Sequence, residues 1–230
     1  MKVLLVAATR YELTGWADRS TPLPASGNPW LANTYTLTLA GHPVVCLVTG
    51  VGMVNTAFAL GAYLSTQPAP ELLLNVGICG SYGPAHPPGT LVEVREEVYA
   101  ELGAEDGEQW LDLTALGFAA FAHGGEPVYN RLVNPTPPLP HYPGVRGATL
   151  QQVTGHPATH ARLVARWQPE VETMEGAAVL QAALQADVPC TCLRAVSNWV
   201  APRSEQPWAP APALEALRQG VTDLFERLPR

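Results

Sequence analysis

The chain has 230 residues, of which 47% are apolar and 14% are charged, and its formal net charge is −7. This length and composition suffice for one large buried core, so residues 1–230 are predicted to form a single domain. Because acidic residues outnumber basic ones and only one lysine is present, neither a nucleic acid nor an anionic membrane surface is an expected partner.

The cysteines and the lengths of the apolar runs predict a cytoplasmic protein. The cysteines at 46, 79, 190 and 192 stand in apolar, strand-like stretches without zinc-site spacing, which is typical of reduced core residues. Residues 3–8 run straight into a charged segment, unlike a secretory leader, and no apolar run approaches membrane-spanning length. The sequence implies neither a metal nor a cofactor.

The first strands are predicted from continuous apolar runs. Residues 3–9 form such a run, the mark of a strand buried on both faces, and Glu12 follows in a brief helix. Residues 21–28, rich in Pro, Ser and Gly, predict a loop. Two further strands, at 35–39 and 44–49, flank a turn and predict a hairpin.

A glycine-rich turn connects this hairpin to the next helix. Gly50-Val51-Gly52 follows a strand end and opens a helix that runs to about residue 65. Glycines let the backbone approach a ligand closely, and the free N–H groups of a helix start suit anions or hydroxyl groups. Residues 72–80 then form another buried strand that also ends in glycines.

The middle of the chain alternates predicted strands with polar segments. A strand is predicted over residues 91–100, followed by an acidic, loop-like stretch at 104–110. Prolines dominate residues 126–143, which predicts irregular surface structure. Strand signals resume at 147–153. Residues 154–157 are then predicted to open a helix that carries Ala161, Leu163, Val164 and Trp167.

The last third brings polar groups to a strand end and a helix start. Glu175 is predicted at the start of a helix, where the helix dipole and free N–H groups favour an ionised carboxylate. The apolar strand 189–197 ends in Ser197 and Asn198. Ligands of open α/β sheets bind at the carboxyl ends of the strands, so these side chains and Glu12 are predicted to meet there. An amphipathic helix, 212–228, closes the chain.

Four motifs in this order resemble the purine nucleoside phosphorylase/nucleosidase superfamily, over essentially the whole chain. They are Gly-Val-Gly at 50–52, Asn-Val-Gly-Ile-Cys-Gly at 75–80, Glu-Thr-Met-Glu-Gly-Ala-Ala at 172–178 and Arg-Ala-Val-Ser-Asn at 194–198. The resemblance implies a three-layer α/β/α domain with a central, mixed, twisted sheet flanked by helices. Residues 50–57 and 102–106 are similar to the futalosine hydrolase branch, whose members release hypoxanthine in menaquinone biosynthesis.

The resemblance also implies roles for individual residues. Glu12 would hold and deprotonate the attacking water. Glu175 would accept hydrogen bonds from the ribose 2′- and 3′-hydroxyl groups, and Met174 would pack against the sugar. Arg194 would support the acidic cluster. Asn198 would bind the purine along its N7/O6 edge, helped by Ser197.

The remaining implied contacts concern the base and the 5′ substituent. Gln152 and Val153 are candidate base contacts, although the adenine nucleosidases usually have an aromatic residue at the first of these positions. Val51 and Ile78 would line the side of the 5′ substituent. Their apolar side chains suit an aromatic group such as that of futalosine, and a methylthio group would also fit.

Asn198 favours a 6-oxopurine over adenine. Adenine-specific relatives have Asp at this position, which can protonate N7 and accept from the exocyclic amine. An Asn amide instead offers an N–H to a 6-oxo group. A mispaired buried polar group costs ~1–3 kcal/mol, which suffices to set substrate choice. A role in the turn before Trp199 is the alternative for this side chain.

Three other functions stay open at this point. Phosphorolysis is the nearest, but phosphorylases of the superfamily tend to have an Arg where this chain has Asn75, and a Ser where it has Ile78. A 5′-methylthioadenosine/S-adenosylhomocysteine nucleosidase would release adenine. A non-catalytic nucleoside-binding protein would need Glu12 or Glu175 to be missing or blocked. The resemblance further implies a homo-oligomer in which a neighbouring subunit can complete the pocket.

Overall fold

A mixed ten-stranded sheet forms the centre of the protein in the computed structural model, which describes residues 1–17, 20–22, 31–205, 208 and 210–228. Helices cover the sheet, as the resemblance implies. The described strands are β1 Val3–Ala7, β2 Thr21–Pro22, β3 Thr34–Leu39, β4 His42–Val48, β5 Leu72–Ser81, β6 Leu91–Tyr99, β7 Gly103–Asp106, β8 Gln109–Asp112, β9 Phe121–His123, β10 Glu126–Val128, β11 Arg131–Val133, β12 Gly144–Thr149, β13 Val171–Thr173 and β14 Cys190–Trp199. The described α-helices are α1 Met53–Thr66, α2 Leu113–Leu116, α3 Pro157–Trp167, α4 Gly176–Gln185 and α5 Ala211–Arg227, and a 3₁₀ helix spans Arg10–Leu13.

The strand order puts four parallel strand ends side by side. β4, β1, β5 and β14 are neighbours and all parallel, so their carboxyl ends lie at one edge of the sheet. β14 also pairs with β6, antiparallel. Because β6, β12, β13 and β5 are themselves successive neighbours, β14 closes a ring of five strands beside this edge.

Apolar side chains pack on both faces of the sheet. Helices α1 and α4 bury Leu60, Leu180 and their neighbours in the largest core, against strands such as β5 and β14. Helix α5 covers the other face with Leu217 and Phe225. A smaller core joins Trp167 of α3 to β6 and β12. The continuous apolar runs of the sequence are therefore strands with covered faces, as predicted.

Several predicted elements differ in the structure. Residues 104–110, predicted as a loop, contribute to the hairpin of β7 and β8. The Pro-rich segment 126–143, predicted as irregular, contains β10 and β11. The strand predicted at 147–153 is β12, which begins at Gly144 and ends at Thr149. Of the loop predicted at 21–28, residues 21 and 22 pair with β3, and the rest lies outside the described residues.

Buried polar groups hold the Pro-rich segment on the sheet. Arg95 pairs with the buried Glu93 at 2.8 Å and donates to the carbonyl of Asn134 at 2.8 Å. Asn134 in turn donates to the carbonyl of Cys190 at 2.8 Å, and Glu93 accepts from the N–H of Leu139 at 2.7 Å. After β11, these side-chain hydrogen bonds rather than a strand ladder hold the segment in place.

The four cysteines are free and buried, as predicted for core residues. Cys190 and Cys192 lie on one face of β14 with their sulfur atoms 3.7 Å apart. Within the described part of the chain, no helix is long and apolar enough to cross a membrane.

Candidate active site

A cavity of about 420 Å³ opens at the edge where β1, β5 and β14 end. Its wall includes three glutamates: Glu12 follows β1, Glu172 lies in β13, and Glu175 directly precedes α4. Apolar and aromatic side chains form most of the remaining wall. A concave, mainly apolar site with a few convergent polar groups is typical of small-molecule binding.

Glu12 is held over β5 by the turn that follows β1. Its carboxylate accepts from the N–H of Thr9 at 2.9 Å, the reciprocal bond of a capping box. A Cβ atom on Gly77 would lie 2.6 Å from Glu12 Oε1, so the glycine makes room for the carboxylate. Burial raises the pKa of Glu12 above its usual value, with a smaller increase from Glu175, against the lowering effect of Arg194 and of nearby backbone N–H groups.

Glu175 is the N-cap residue of α4, as the sequence predicts. Its Oε1 accepts from the N–H of Gly52 at 2.8 Å. Gly52 has φ +92°, a conformation that side chains rarely adopt, so a glycine is needed to aim this N–H at the carboxylate. Burial nevertheless raises the pKa of Glu175, against the lowering effect of Gly52, Arg194 and the Met174 N–H. These three interactions only partly offset the desolvation of this carboxylate, and Glu175 makes no capping hydrogen bond to α4 itself.

Arg194 lies behind the cavity wall rather than on it. The side chain is 2% exposed and donates to the backbone carbonyl of Asn75 at 3.1 Å and to its side-chain oxygen. Asn75 itself donates to the carbonyl of Val6 at 3.1 Å. The guanidinium thus contributes a buried positive charge that lowers the pKa values of Glu12 and Glu175, as expected for support of an acidic cluster.

A bulge in β14 aims Asn198 into the cavity. Val196 pairs with Cys79 and Asn198 with Gly80, so Ser197 is the extra residue. Asn198 Nδ2 donates to the carbonyl of Trp199 at 2.8 Å, and Oδ1 lies 2.7 Å from the Ser197 hydroxyl oxygen. These bonds fix the amide plane and leave one N–H and one oxygen lone pair for a ligand.

Glu172 is a cavity carboxylate that was not among the predicted site residues. It is 6% exposed, and it accepts from the hydroxyl group of Tyr82 at 2.9 Å and from the N–H of Thr154 at 3.1 Å. Burial raises its pKa, while these hydrogen bonds lower it. The one available signal was its position two residues before the Met-Glu motif, in the short buried strand β13.

The structure brings most of the predicted site residues together. Eight of them line the cavity: Glu12, Val51, Ile78, Val153, Met174, Glu175, Ser197 and Asn198. Two do not, since Arg194 is behind the wall and Gln152 is an exposed residue outside it. The aromatic residues Tyr11 and Trp208, with ring centroids 6.3 Å apart, and the cation Arg203 also line the cavity and were not predicted.

A further glutamate, Glu97, is completely buried in β6 beneath the start of α4. Its Oε2 accepts from the hydroxyl group of Thr149 at 2.8 Å, and that hydroxyl oxygen accepts from the N–H of Ala177 at 2.8 Å. Its Oε1 has no hydrogen-bond partner among the described residues. Burial raises the pKa of Glu97 to about 7, although Arg194 and the Thr149 hydroxyl group lower it.

The raised pKa of Glu97 leads to a prediction about how the stability of the fold depends on pH. A folded-state pKa above the unfolded value stabilises the fold at low pH, and that contribution is lost as pH rises from 4.5 to about 7. We therefore expect the free energy of unfolding of wild type, relative to Glu97→Gln, to fall by on the order of 3 kcal/mol over this window. Urea unfolding at several pH values measures it. The exposed Glu108→Gln serves as control, and a pH-independent difference for Glu97→Gln would contradict the raised pKa.

A second cavity, of about 480 Å³, lies elsewhere, beside β10 and β11. Its most buried polar side chain, Asn130, accepts from the N–H of Leu113 and donates to the carbonyls of Tyr99 and Leu102. The amide is thus used to hold the chain together. The convergent carboxylates are found in the cavity at the strand ends, which is therefore the candidate active site.

Comparisons with known proteins agree with this architecture. The sequence profile of the phosphorylase superfamily matches residues 2–228. A futalosine hydrolase of Thermus thermophilus is 38% identical over 193 residues, which cover 81% of this chain and 83% of the relative. One of Streptomyces coelicolor is 35% identical over 164 residues, 67% of this chain and 65% of the relative. A 5′-methylthioadenosine/S-adenosylhomocysteine nucleosidase of Streptococcus pneumoniae, 20% identical, superposes over 100% of both chains with a TM-score of 0.77, which shows a shared fold.

Proposed function

The chain belongs to the phosphorylase superfamily, and we propose that it is a nucleosidase that hydrolyses the N-glycosidic bond of futalosine. The products are hypoxanthine and dehypoxanthine futalosine, in menaquinone biosynthesis. The observation that carries the proposal is the cavity in which two partly buried carboxylates, Glu12 and Glu175, converge beside the amide of Asn198.

Glu12 and Glu175 have different roles in the cleavage of the bond to the sugar. Cleavage of an N-glycosidic bond develops positive charge on the ribose, as in glycoside hydrolysis. Glu175, held by the N–H of Gly52, accepts from the ribose hydroxyl groups and stabilises this charge in a site with little water. Glu12 accepts a proton from the attacking water, and its raised pKa makes it a stronger base than an exposed glutamate.

Water rather than phosphate is the nucleophile. Phosphate binding needs cations or several free N–H groups near the attacking position. Among the described residues that line the cavity, Arg203 is the one Arg or Lys. Asn75, which replaces the phosphate-binding Arg of phosphorylases, is committed to Val6 and Arg194, so this polar position is part of the core.

The mouth of the cavity suits a bulky apolar 5′ substituent. Val51 and Ile78 line it, together with the rings of Tyr11 and Trp208. Aromatic side chains offer large contact areas with a preference for offset or tilted ring packing. This supports futalosine as the substrate, while a methylthio group would leave part of this surface uncovered.

An exposed apolar stripe on α1 supports a homo-oligomer. Val51, Val54 and Phe58 are 49%, 73% and 55% exposed, and positions 54 and 58 lie one helical turn apart. Large exposed apolar patches mark interaction sites in soluble proteins. Because Val51 also lines the cavity, a second copy on this stripe would adjoin the mouth of the site.

The four free thiols are in keeping with a reducing, cytoplasmic location.

The function is tested by chromatography of reactions with futalosine, 5′-methylthioadenosine and inosine in phosphate-free buffer. We expect hypoxanthine and free sugar product from futalosine alone. Adenine from 5′-methylthioadenosine would indicate the alternative nucleosidase, and a requirement for added phosphate would indicate a phosphorylase. Binding without release of any base would indicate a nucleoside-binding protein.

Replacing Asn198 is predicted to change the base preference. An Asp at this position loses the N–H for the 6-oxo group and gains an acceptor for the exocyclic amine of adenine. We expect Asn198→Asp to shift the ratio of kcat/KM for futalosine over its 6-amino analogue toward the analogue by about 10–100-fold. Gln152→Glu, the same charge change outside the cavity, should leave the ratio unchanged. An unaltered ratio in Asn198→Asp would mean that the amide only maintains the bulge of β14 and does not select the base.

A further inference from the structure

We propose that Glu172 is a second specificity-determining residue of this site, which accepts the N1–H of a 6-oxopurine while Asn198 binds the neighbouring edge of the base. The inference rests on the proposed function, and it assigns a role to the cavity carboxylate that the hydrolytic mechanism does not use.

The register of three adjacent strands places the two side chains on either side of one glycine. Gly80 of β5 pairs with Glu172 of β13 on one side and with Asn198 of β14 on the other. Side chains of residues in register point to the same face of a sheet, and neighbouring strands are about 4.8 Å apart. Glu172 and Asn198 therefore face the cavity together, with a residue that has no side chain between them.

Distances at Gly80 show how close the pair lies. A Cβ atom on Gly80 would be 3.2 Å from Glu172 Cγ and 3.5 Å from Asn198 Nδ2. The space above this glycine is thus bordered by a carboxylate stem and an amide. A planar base that enters it presents its edge to both groups.

The carboxylate of Glu172 is oriented and has unused acceptor capacity. Tyr82 donates to Oε2 and the N–H of Thr154 donates to Oε1. The Thr154 hydroxyl group also interacts with this carboxylate. A carboxylate has about four acceptor positions, so one of them is left for a ligand after these three contacts from the described residues. Burial raises the pKa of Glu172, and these donors oppose the rise by favouring the ionised form. The ionised carboxylate can accept a hydrogen bond but cannot donate one.

The chemistry of the two purine classes then decides which one fits. In a 6-oxopurine N1 carries a hydrogen and O6 accepts, so the edge pairs with a carboxylate at N1 and an amide N–H at O6. In a 6-aminopurine N1 is an acceptor, and a carboxylate opposite it brings two lone pairs together. A site built to bind a donor rejects the analogue that lacks it, because its own buried groups are left unpaired.

Two measurements on the Glu172→Gln variant test this role. The first is kcat/KM for futalosine and for its 6-amino analogue. The second is the dissociation constant of free hypoxanthine and of free adenine, by calorimetry. We expect a 10–100-fold loss for the 6-oxo compounds and an unchanged or improved value for the 6-amino compounds, because the Gln amide can donate to N1. Glu170→Gln, an exposed glutamate two residues earlier, is the matched control and should behave as wild type.

A second variant separates base recognition from folding. Tyr82→Phe removes the hydroxyl group that orients Glu172 and leaves the carboxylate in place. It should lower affinity for hypoxanthine more than for adenine, in the same direction as Glu172→Gln but to a smaller extent. Equal losses for both bases in both variants would overturn the proposal, as would no change in either variant. Selective hypoxanthine binding without futalosine hydrolysis would instead refute the proposed function and leave the role of Glu172 standing.

Discussion

Replacing Glu12 by Gln is expected to lower kcat for futalosine hydrolysis by about 10²–10⁴-fold, the usual contribution of a general base. The amide keeps the size of the side chain and can still accept from the N–H of Thr9, so the turn after β1 is preserved. Only the ability to take a proton from water is removed. Steady-state kinetics with a chromatographic readout of hypoxanthine measures the effect, and Glu108→Gln in the β7–β8 turn is the exposed control.

The raised pKa of Glu12 gives this prediction a pH dependence. The base is active when ionised, so kcat/KM of wild type should fall as pH decreases through a value above the ordinary 4.5 of a glutamate. The small residual activity of Glu12→Gln should not show this fall of kcat/KM at low pH. If the variant keeps both the wild-type kcat and the fall at low pH, another group activates the water.

Because its carboxylate is desolvated, Glu12 is also expected to destabilise the fold at neutral pH. A folded-state pKa above the unfolded value stabilises the fold below pH 4.5, and that contribution disappears as pH rises through the folded pKa. Glu12→Gln should therefore have a higher Tm than wild type at neutral pH, and the gap should narrow in acid. An inactive variant that is also less stable would instead point to a structural role.

Replacing Glu175 by Gln is expected to reduce kcat/KM for futalosine by about 10²–10³-fold, the scale observed when one electrostatic group of an active site is removed. The carboxylate makes no capping bond within its own helix, and the Gln oxygen can still accept from Gly52. The loss should therefore come from the weaker interaction with the charged sugar rather than from a displaced helix.

A substrate lacking the 2′-hydroxyl group sharpens this test. If Glu175 accepts from that hydroxyl, the 2′-deoxy substrate reacts more slowly with wild type, and Glu175→Gln adds a smaller loss on it than on the ribose substrate. Such non-additivity is the mark of a direct interaction. Fully additive losses would mean that Glu175 acts without contact to the 2′-hydroxyl group.

Local patterns predicted the parts of the site that follow directly from strands. Continuous apolar runs marked β1, β5 and β14, and parallel buried strands open to ligands at their carboxyl ends. Glu12, Glu175 and Asn198 could thus be assigned to one edge from the sequence. The prediction for residues 104–110 was wrong because a two-stranded hairpin away from the main sheet shows polar residues on both faces.

The sequence by itself determined the buried strands, the family resemblance and the placement of Glu12 and Glu175 at one edge of the sheet, because apolar periodicity and short motifs are local properties of the chain. The tertiary structure alone decided that Arg194 lies behind the wall, that Gln152 lies outside it, and that Glu172 faces Asn198 across Gly80. The placements of Arg194, Glu172 and Asn198 depend on register between strands about 90 to 120 residues apart. Shifting a strand by one residue would turn its side chain to the opposite face, and no local signal records which register is formed.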